Sequence, residues 1–171
     1  MGAPLHSRAI RQPRNRAPLL PPATSAAARS LFLLGPGFVP PEPYPPEPPG
    51  FENVWYGTPE LWTFLEPNGA VWSDLPVGKG PHAVGNKTLW FSENFSTADG
   101  EDFSGNAEIT LTGVNLDGSA PKVVEEGGVP SFNRYVKNFM LVGLGLPEPG
   151  CWEITATYKG AELTYALWVE D

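Results

Sequence analysis

The chain has 171 residues and a formal net charge of −8, room for one ordinary domain and a tail. The charge is divided unevenly: residues 1–50 hold five arginines against Glu42 and Glu47, whereas residues 51–171 hold six basic residues against 17 acids. A folded part this acidic repels phosphate backbones, which excludes nucleic acid as its partner, and a lone cysteine, Cys151, excludes an internal disulfide framework.

The first fifty residues read as a disordered basic tail followed by a proline-rich linker. Their best apolar run, residues 31–34, is cut off by Gly35-Pro36-Gly37 and falls far short of the ~20 residues of a transmembrane helix. Arg, Ala and Ser are common and acids are absent before Glu42, which touches the transit-peptide pattern, but Pro13, Pro18, Pro21 and Pro22 spoil an amphipathic helix. A degenerate export signal is the alternative to a plain disordered tail. Eight of the 14 residues from 36 to 49 are proline, which predicts an extended polyproline-like spacer. Ligands of SH3-type grooves have similar composition; a stiff stalk is the simpler reading.

From Phe51 onward, apolar residues recur with period two in short runs broken by Gly, Pro, Asn and Asp, and no window sustains a 3.6-residue pattern. That predicts an all-β domain over 51–171. The candidate strands are 53–56, 61–65, 70–73, 87–91, 107–116, 138–146, 151–158 and 161–169. Glu66-Pro67-Asn68-Gly69 reads as a turn. The stretches 92–106 and 117–135 read as loops, the second with one short strand near Val123-Val124.

The C-terminus specifies its own pairing. With Lys159-Gly160 as a two-residue hairpin loop, Tyr158 faces Ala161, Ala156 faces Leu163, Ile154 faces Tyr165 and Trp152 faces Leu167. That face is wholly apolar. The other pairs Thr157 with Glu162, Thr155 with Thr164, Glu153 with Ala166 and Cys151 with Trp168, and is mostly polar. A one-residue slip would ruin the segregation, so the register is well specified. Ala107, Ile109 and Leu111 alternate with Glu108, Thr110 and Thr112, and Met140, Val142, Leu144 and Leu146 form a third apolar face. Short strands, no helix and frequent turns predict a Greek-key, immunoglobulin-like β-sandwich.

Pro149-Gly150-Cys151-Trp152-Glu153-Ile154-Thr155 resembles the entry into the penultimate strand of many bacterial immunoglobulin-like domains. With Leu163 to Val169, Leu61-Trp62 and Leu111-Thr112-Gly113-Val114-Asn115-Leu116-Asp117, the likeness narrows to a group of bacterial exported proteins and lipoproteins without established function. It covers about residues 53–171. It implies an immunoglobulin-like fold and an extracytoplasmic location in the cell envelope or outside the cell. The chain departs from the lipoprotein members in having no cysteine near residue 1 to carry a lipid.

No constellation of catalytic residues emerges. A nucleophilic Cys151 needs a base, and His82, in a Gly/Pro-rich loop, is the one histidine of the domain; a buried structural thiol is the expectation. One Cys and one His cannot hold zinc. Asp99, Glu101 and Asp102 offer hard oxygens for Ca²⁺ but lack the spacing of a known loop. Trp62, Trp72, Trp90 and Trp168 are candidates for a sugar-stacking platform, against the simpler expectation of core rings. The resulting expectation is a monomeric, non-catalytic interaction or structural domain without cofactor, metal or transmembrane helix, whose partner is a protein or a glycan. A carbohydrate-binding module using surface tryptophans is the alternative.

Overall fold

The computed structural model describes residues 38–48, 53–65, 70–72, 84–96, 105–118 and 120–170. Among them every regular element is a strand: β1 (Val54–Thr58), β2 (Leu61–Leu65), β3 (Ala70–Trp72), β4 (Val84–Trp90), β5 (Ala107–Asn115), β6 (Val123–Asn133), β7 (Lys137–Leu146), β8 (Gly150–Tyr158) and β9 (Ala161–Val169). Seven strands hydrogen-bond in the order β3–β9–β8–β5–β6–β7–β4, and β1 pairs with β2. All neighbours run antiparallel except β3 and β9, which are parallel. The all-β expectation from period-two patterning holds.

The alternation of the last hairpin produces the register predicted from it. Trp152 pairs with Leu167, Ile154 with Tyr165, Ala156 with Leu163 and Tyr158 with Ala161. Trp152, Ile154, Ala156 and Leu167 have no exposed surface. Burying each large apolar side chain is worth roughly 1.5–3 kcal/mol, so a slip that put Glu153 and Thr155 inside would cost several times that. The turn requires positive φ at two residues, and Lys159 (φ 46°) supplies one as well as Gly160 (φ 86°), the geometry of a type I′ hairpin.

A long strand lies where the sequence predicts mostly loop. Residues 117–135 contain β6, eleven residues long. Its first half pairs with β5 as far as Ala107↔Gly128, and its second half pairs with β7 from Val129↔Leu141 onward. It therefore carries the sheet around a corner, and the two arms face each other across the core. Gly127, at φ 83°, makes the bend. At Gly128 the arms approach closely: a Cβ there would sit 2.9 Å from Ile109 Cγ2 and 3.1 Å from Val142 Cγ2. Among the described residues each half of β6 has a strand on one side only, so Pro130 lies at an edge of the described sheet, a place that tolerates its missing N–H.

β2 and β3, consecutive in the chain, join opposite arms. Trp62 and Phe91 exchange two backbone hydrogen bonds of 2.9 Å, which sets β2 beside β4, while β3 lies along β9 with Ala70↔Leu167. The turn expected at residues 66–69 lies outside the described residues; the strands on either side of it are not each other's partners. Tyr56 Oη donates to Thr164 O at 2.9 Å, tying the β1–β2 hairpin to β9.

The main core between the arms contains Leu61, Trp90, Ile109, Leu111, Met140, Val142, Leu144, Trp152, Ile154 and Leu167. A second apolar cluster of Trp55, Trp62, Phe91, Val136 and Phe139 lies apart from it. It forms because β2, β7 and β4 with the residue that follows it carry apolar residues on both faces: Leu61, Trp90 and Met140 turn to the main core, and Trp62, Phe91 and Phe139 to the second cluster. A sheet apolar on both faces must be covered on both.

Part of that cover is residues 38–48, with Phe38 and Tyr44 packed on the second cluster. The sequence assigns these residues to a spacer and starts the domain at residue 51. Instead they lie against the sheet, with Pro40 and Pro48 buried. Tyr44 N–H closes a turn on Pro41 O at 3.1 Å. Composition alone hides this, because proline-rich chain is extended whether it stands free or lies on a surface; what decides is the aromatic face waiting for it. Of the tail and linker predicted over residues 1–50, residues 1–37, 49 and 50 lie outside the described residues.

Candidate functional site

Cys151 has no exposed surface, and β8 and the end of β5 explain why. Its N–H donates to Asp117 Oδ2 at 2.9 Å, and its carbonyl accepts from Leu116 N–H at 2.8 Å. Asn115 Oδ1 in turn accepts from Asp117 N–H at 3.0 Å and from Gly118 N–H. Burial, and next the Asp117 carboxylate, push the thiol pKa up, away from the thiolate that nucleophilic or ligating chemistry needs. The arrangement is a clamp that holds the end of β5 to the start of β8. It joins two of the stretches on which the sequence resemblance rests, residues 111–117 and 149–155, and assigns them a structural task.

The tryptophans do not assemble into a platform. Trp55, Trp62, Trp90 and Trp152 are buried. Trp72 packs against the main core. Trp168 is half-buried, paired with Cys151 on the face of β8–β9 away from the core. In the β3–β9 register, Trp168 is opposite Val71 and Trp72 opposite Val169, so the two least buried indoles point to opposite faces of the sheet. Trp90 Nε1–H donates to Thr88 Oγ1 at 2.9 Å and Trp152 Nε1–H to Glu148 O at 3.1 Å, as buried indoles commonly do.

His82, Asp99, Glu101 and Asp102 lie outside the described residues. Among the described residues no three His, Cys, Asp or Glu side chains are grouped to hold a metal, and no helix is long and apolar enough to cross a membrane.

The outer face of β5, β8 and β9 is polar, with Thr110 opposite Thr157 and Thr112 opposite Thr155; the Thr155 and Thr164 hydroxyls hydrogen-bond to each other at 2.9 Å. Against this polar ground the free-edge strand is distinct. Val124, Val129 and Phe132 on β6 are 50%, 55% and 50% exposed, and Tyr135, in the turn that follows, is 54% exposed. Val114 and Leu116 at the end of β5 extend the apolar area beside Val124. Sequence reasoning missed this surface because it read the segment as loop; the signal available was the spacing of Val123, Val124, Val129 and Phe132 between turn residues. Compared with known proteins, the chain matches no protein-family model, no curated protein and no solved structure.

Proposed function

We propose that the chain is a non-catalytic immunoglobulin-like domain of the cell envelope or exterior, and that it engages a protein partner through the free edge of β6. The observation that carries the interaction role is the half-exposure of Val124, Val129 and Phe132 on a strand each half of which, among the described residues, pairs on one side only; Val129 and Phe132, three residues apart, present apolar surface on both faces of that edge. Such an edge invites strand pairing unless it is blunted. Pro130 and the acids Glu125 and Glu126 limit indiscriminate pairing while leaving apolar anchors for a selected partner. The immunoglobulin-like part is supported by the strand order. One arm runs β2–β4–β7 to the second half of β6, and the other runs β5–β8–β9, which is the constant-type arrangement when strands A to G are β2, β4, β5, β6, β7, β8 and β9. The envelope location is supported by the sequence resemblance alone.

The test is site-specific photo-cross-linking in intact cells from position 132, with position 162 on the polar face as control. A discrete adduct from 132, absent from 162 and suppressed by Val129→Lys, supports the reading. Equal adducts from both positions, or none from 132, would remove it. Recovery of the mature protein in the cytoplasm alone would remove the location.

A further inference from the structure

We propose that the aromatic face beneath residues 38–48 is a binding groove for the proline-rich segment of a partner protein, and that residues 38–48 occupy it in cis as a displaceable competitor. This extends the reading of the chain as an interaction module to a second surface, and its failure would leave the β6 edge untouched.

The groove is built from β1, β2, β4 and β7. The Trp62 ring stacks on Phe91, with centroids 5.9 Å apart and planes at 13°. Trp55 stands edge-on to Phe91 at 5.2 Å, and Phe139 closes the other side at 6.0 Å. Into this face the segment inserts two rings. Tyr44 meets Trp62 edge-on at 5.0 Å and Phe91 at 5.9 Å, and Phe38 lies 5.6 Å from Trp62. Trp55 Nε1–H donates to Pro45 O at 3.0 Å, and Tyr44 Oη donates to Asn138 O at 3.2 Å. An aromatic floor with an indole N–H aimed at a proline carbonyl is the chemistry by which grooves take polyproline-type ligands. The ligand is pre-extended and its carbonyls are unused, so little entropy is lost on docking.

Two observations point to an exchangeable occupant rather than a permanent part of the fold. First, the hydrogen bonds that hold the segment to the groove run through the side chains of Trp55 and Tyr44, and residues 38–48 form no strand of either sheet. Second, the indole N–H of Trp62 is buried with no acceptor among the described residues, a costly state for a donor. A partner peptide that presents a carbonyl there makes a contact the cis segment does not. This also disfavours a second copy as occupant. Its segment would make the same contacts, leave Trp62 equally unsatisfied and lose the advantage of the tether, an effective concentration of order mM for a short link. The segment itself defines the ligand chemistry. It carries Pro-Pro-Glu-Pro at residues 40–43 and again at 45–48, with the acids exposed and Pro40 and Pro48 buried.

The probe is a fluorescent synthetic peptide with the sequence of residues 38–48, titrated into the full chain. Tyr44→Ser withdraws the ring that touches both Trp62 and Phe91 and leaves the groove intact; it should bind the probe at least about tenfold more tightly than wild type, because the cis competitor is weakened. Adding Trp55→Phe should lose about tenfold of that affinity, the effect of one removed hydrogen bond. A probe with serine at its proline positions should not bind. Phe38→Ser is the second loosened variant should Tyr44→Ser fail to fold, and in either variant the indole N–H resonances of Trp55 and Trp62 should shift as the probe restores the missing ring to the groove. The proposal is overturned if the loosened variants keep a native thermal transition yet bind no better than wild type. It is overturned too if the serine probe binds equally, or if differently tagged wild-type chains exchange segments and co-elute as a dimer, which would assign the groove to a second copy.

Discussion

One substitution, Gly→Ala, should have opposite effects at two positions separated by a short distance on the same folded framework. At Gly128 the new methyl would lie 2.9 Å from Ile109 Cγ2, 3.1 Å from Val142 Cγ2 and 3.3 Å from Met140 Cβ. The first two neighbours are β-branched and locked by the core, and the third is the root of its side chain, so relief requires backbone movement where the two arms meet. Overpacking of this kind costs about 1–3 kcal/mol, against a gain of about 0.4–1 kcal/mol from the stiffer unfolded chain. The net expectation for Gly128→Ala is a loss of about 0.5–2 kcal/mol, or roughly 2–10 °C in Tm for a domain of this size. At Gly143, on the exposed side of β7, the same methyl meets nothing within 4 Å, and Gly in a strand interior is itself a cost of roughly 0.5–1 kcal/mol. Gly143→Ala should therefore raise Tm slightly. Calorimetry and urea titration of the two variants beside wild type decide it. If both shift alike, or if Gly128→Ala is neutral, the two arms do not close on Gly128 and the corner made by β6 is wrongly drawn.

Three further outcomes concern the Cys151 thiol, the raised phenols and the Thr155–Thr164 pair. Cys151 should not react with an aromatic disulfide reagent at pH 8 in the native state and should react fully in guanidinium, since burial and Asp117 both hold its proton on; fast native labelling would contradict the clamp. Burial raises the pKa of Cys151, Tyr44, Tyr56 and Tyr165 in the folded state. The folded protein thus keeps protons that the unfolded chain releases from about pH 9 upward, so stability is full below that and falls as pH rises toward the folded values. A urea midpoint unchanged from pH 8.5 to 11 would refute this. Finally, Thr155→Val and Thr164→Val should each cost under about 1 kcal/mol, and the double variant should cost less than their sum, because the Thr155–Thr164 hydrogen bond is then lost without leaving one hydroxyl unmatched.

The last hairpin shows what can be read from residues alone. The alternation from Trp152 to Leu167 has one register that puts all its apolar side chains on one side, and burial energy makes that register the native one. The inward rows of β5 and β7, Ile109 and Leu111, Met140, Val142 and Leu144, were legible for the same reason, as was the burial of most tryptophans and of Cys151. What stayed hidden depends on contacts between segments far apart in the chain. β6 shows no period of two because its halves answer to different neighbours. Residues 38–48 read as free spacer because an extended proline-rich chain has the same local structure on a surface as in solvent. The candidate surfaces, the β6 edge and the aromatic groove, belong to this second class. Local pattern determined which residues face inward; only the folding of one arm over the other decided which strand was left with an open edge and which aromatic face needed a cover.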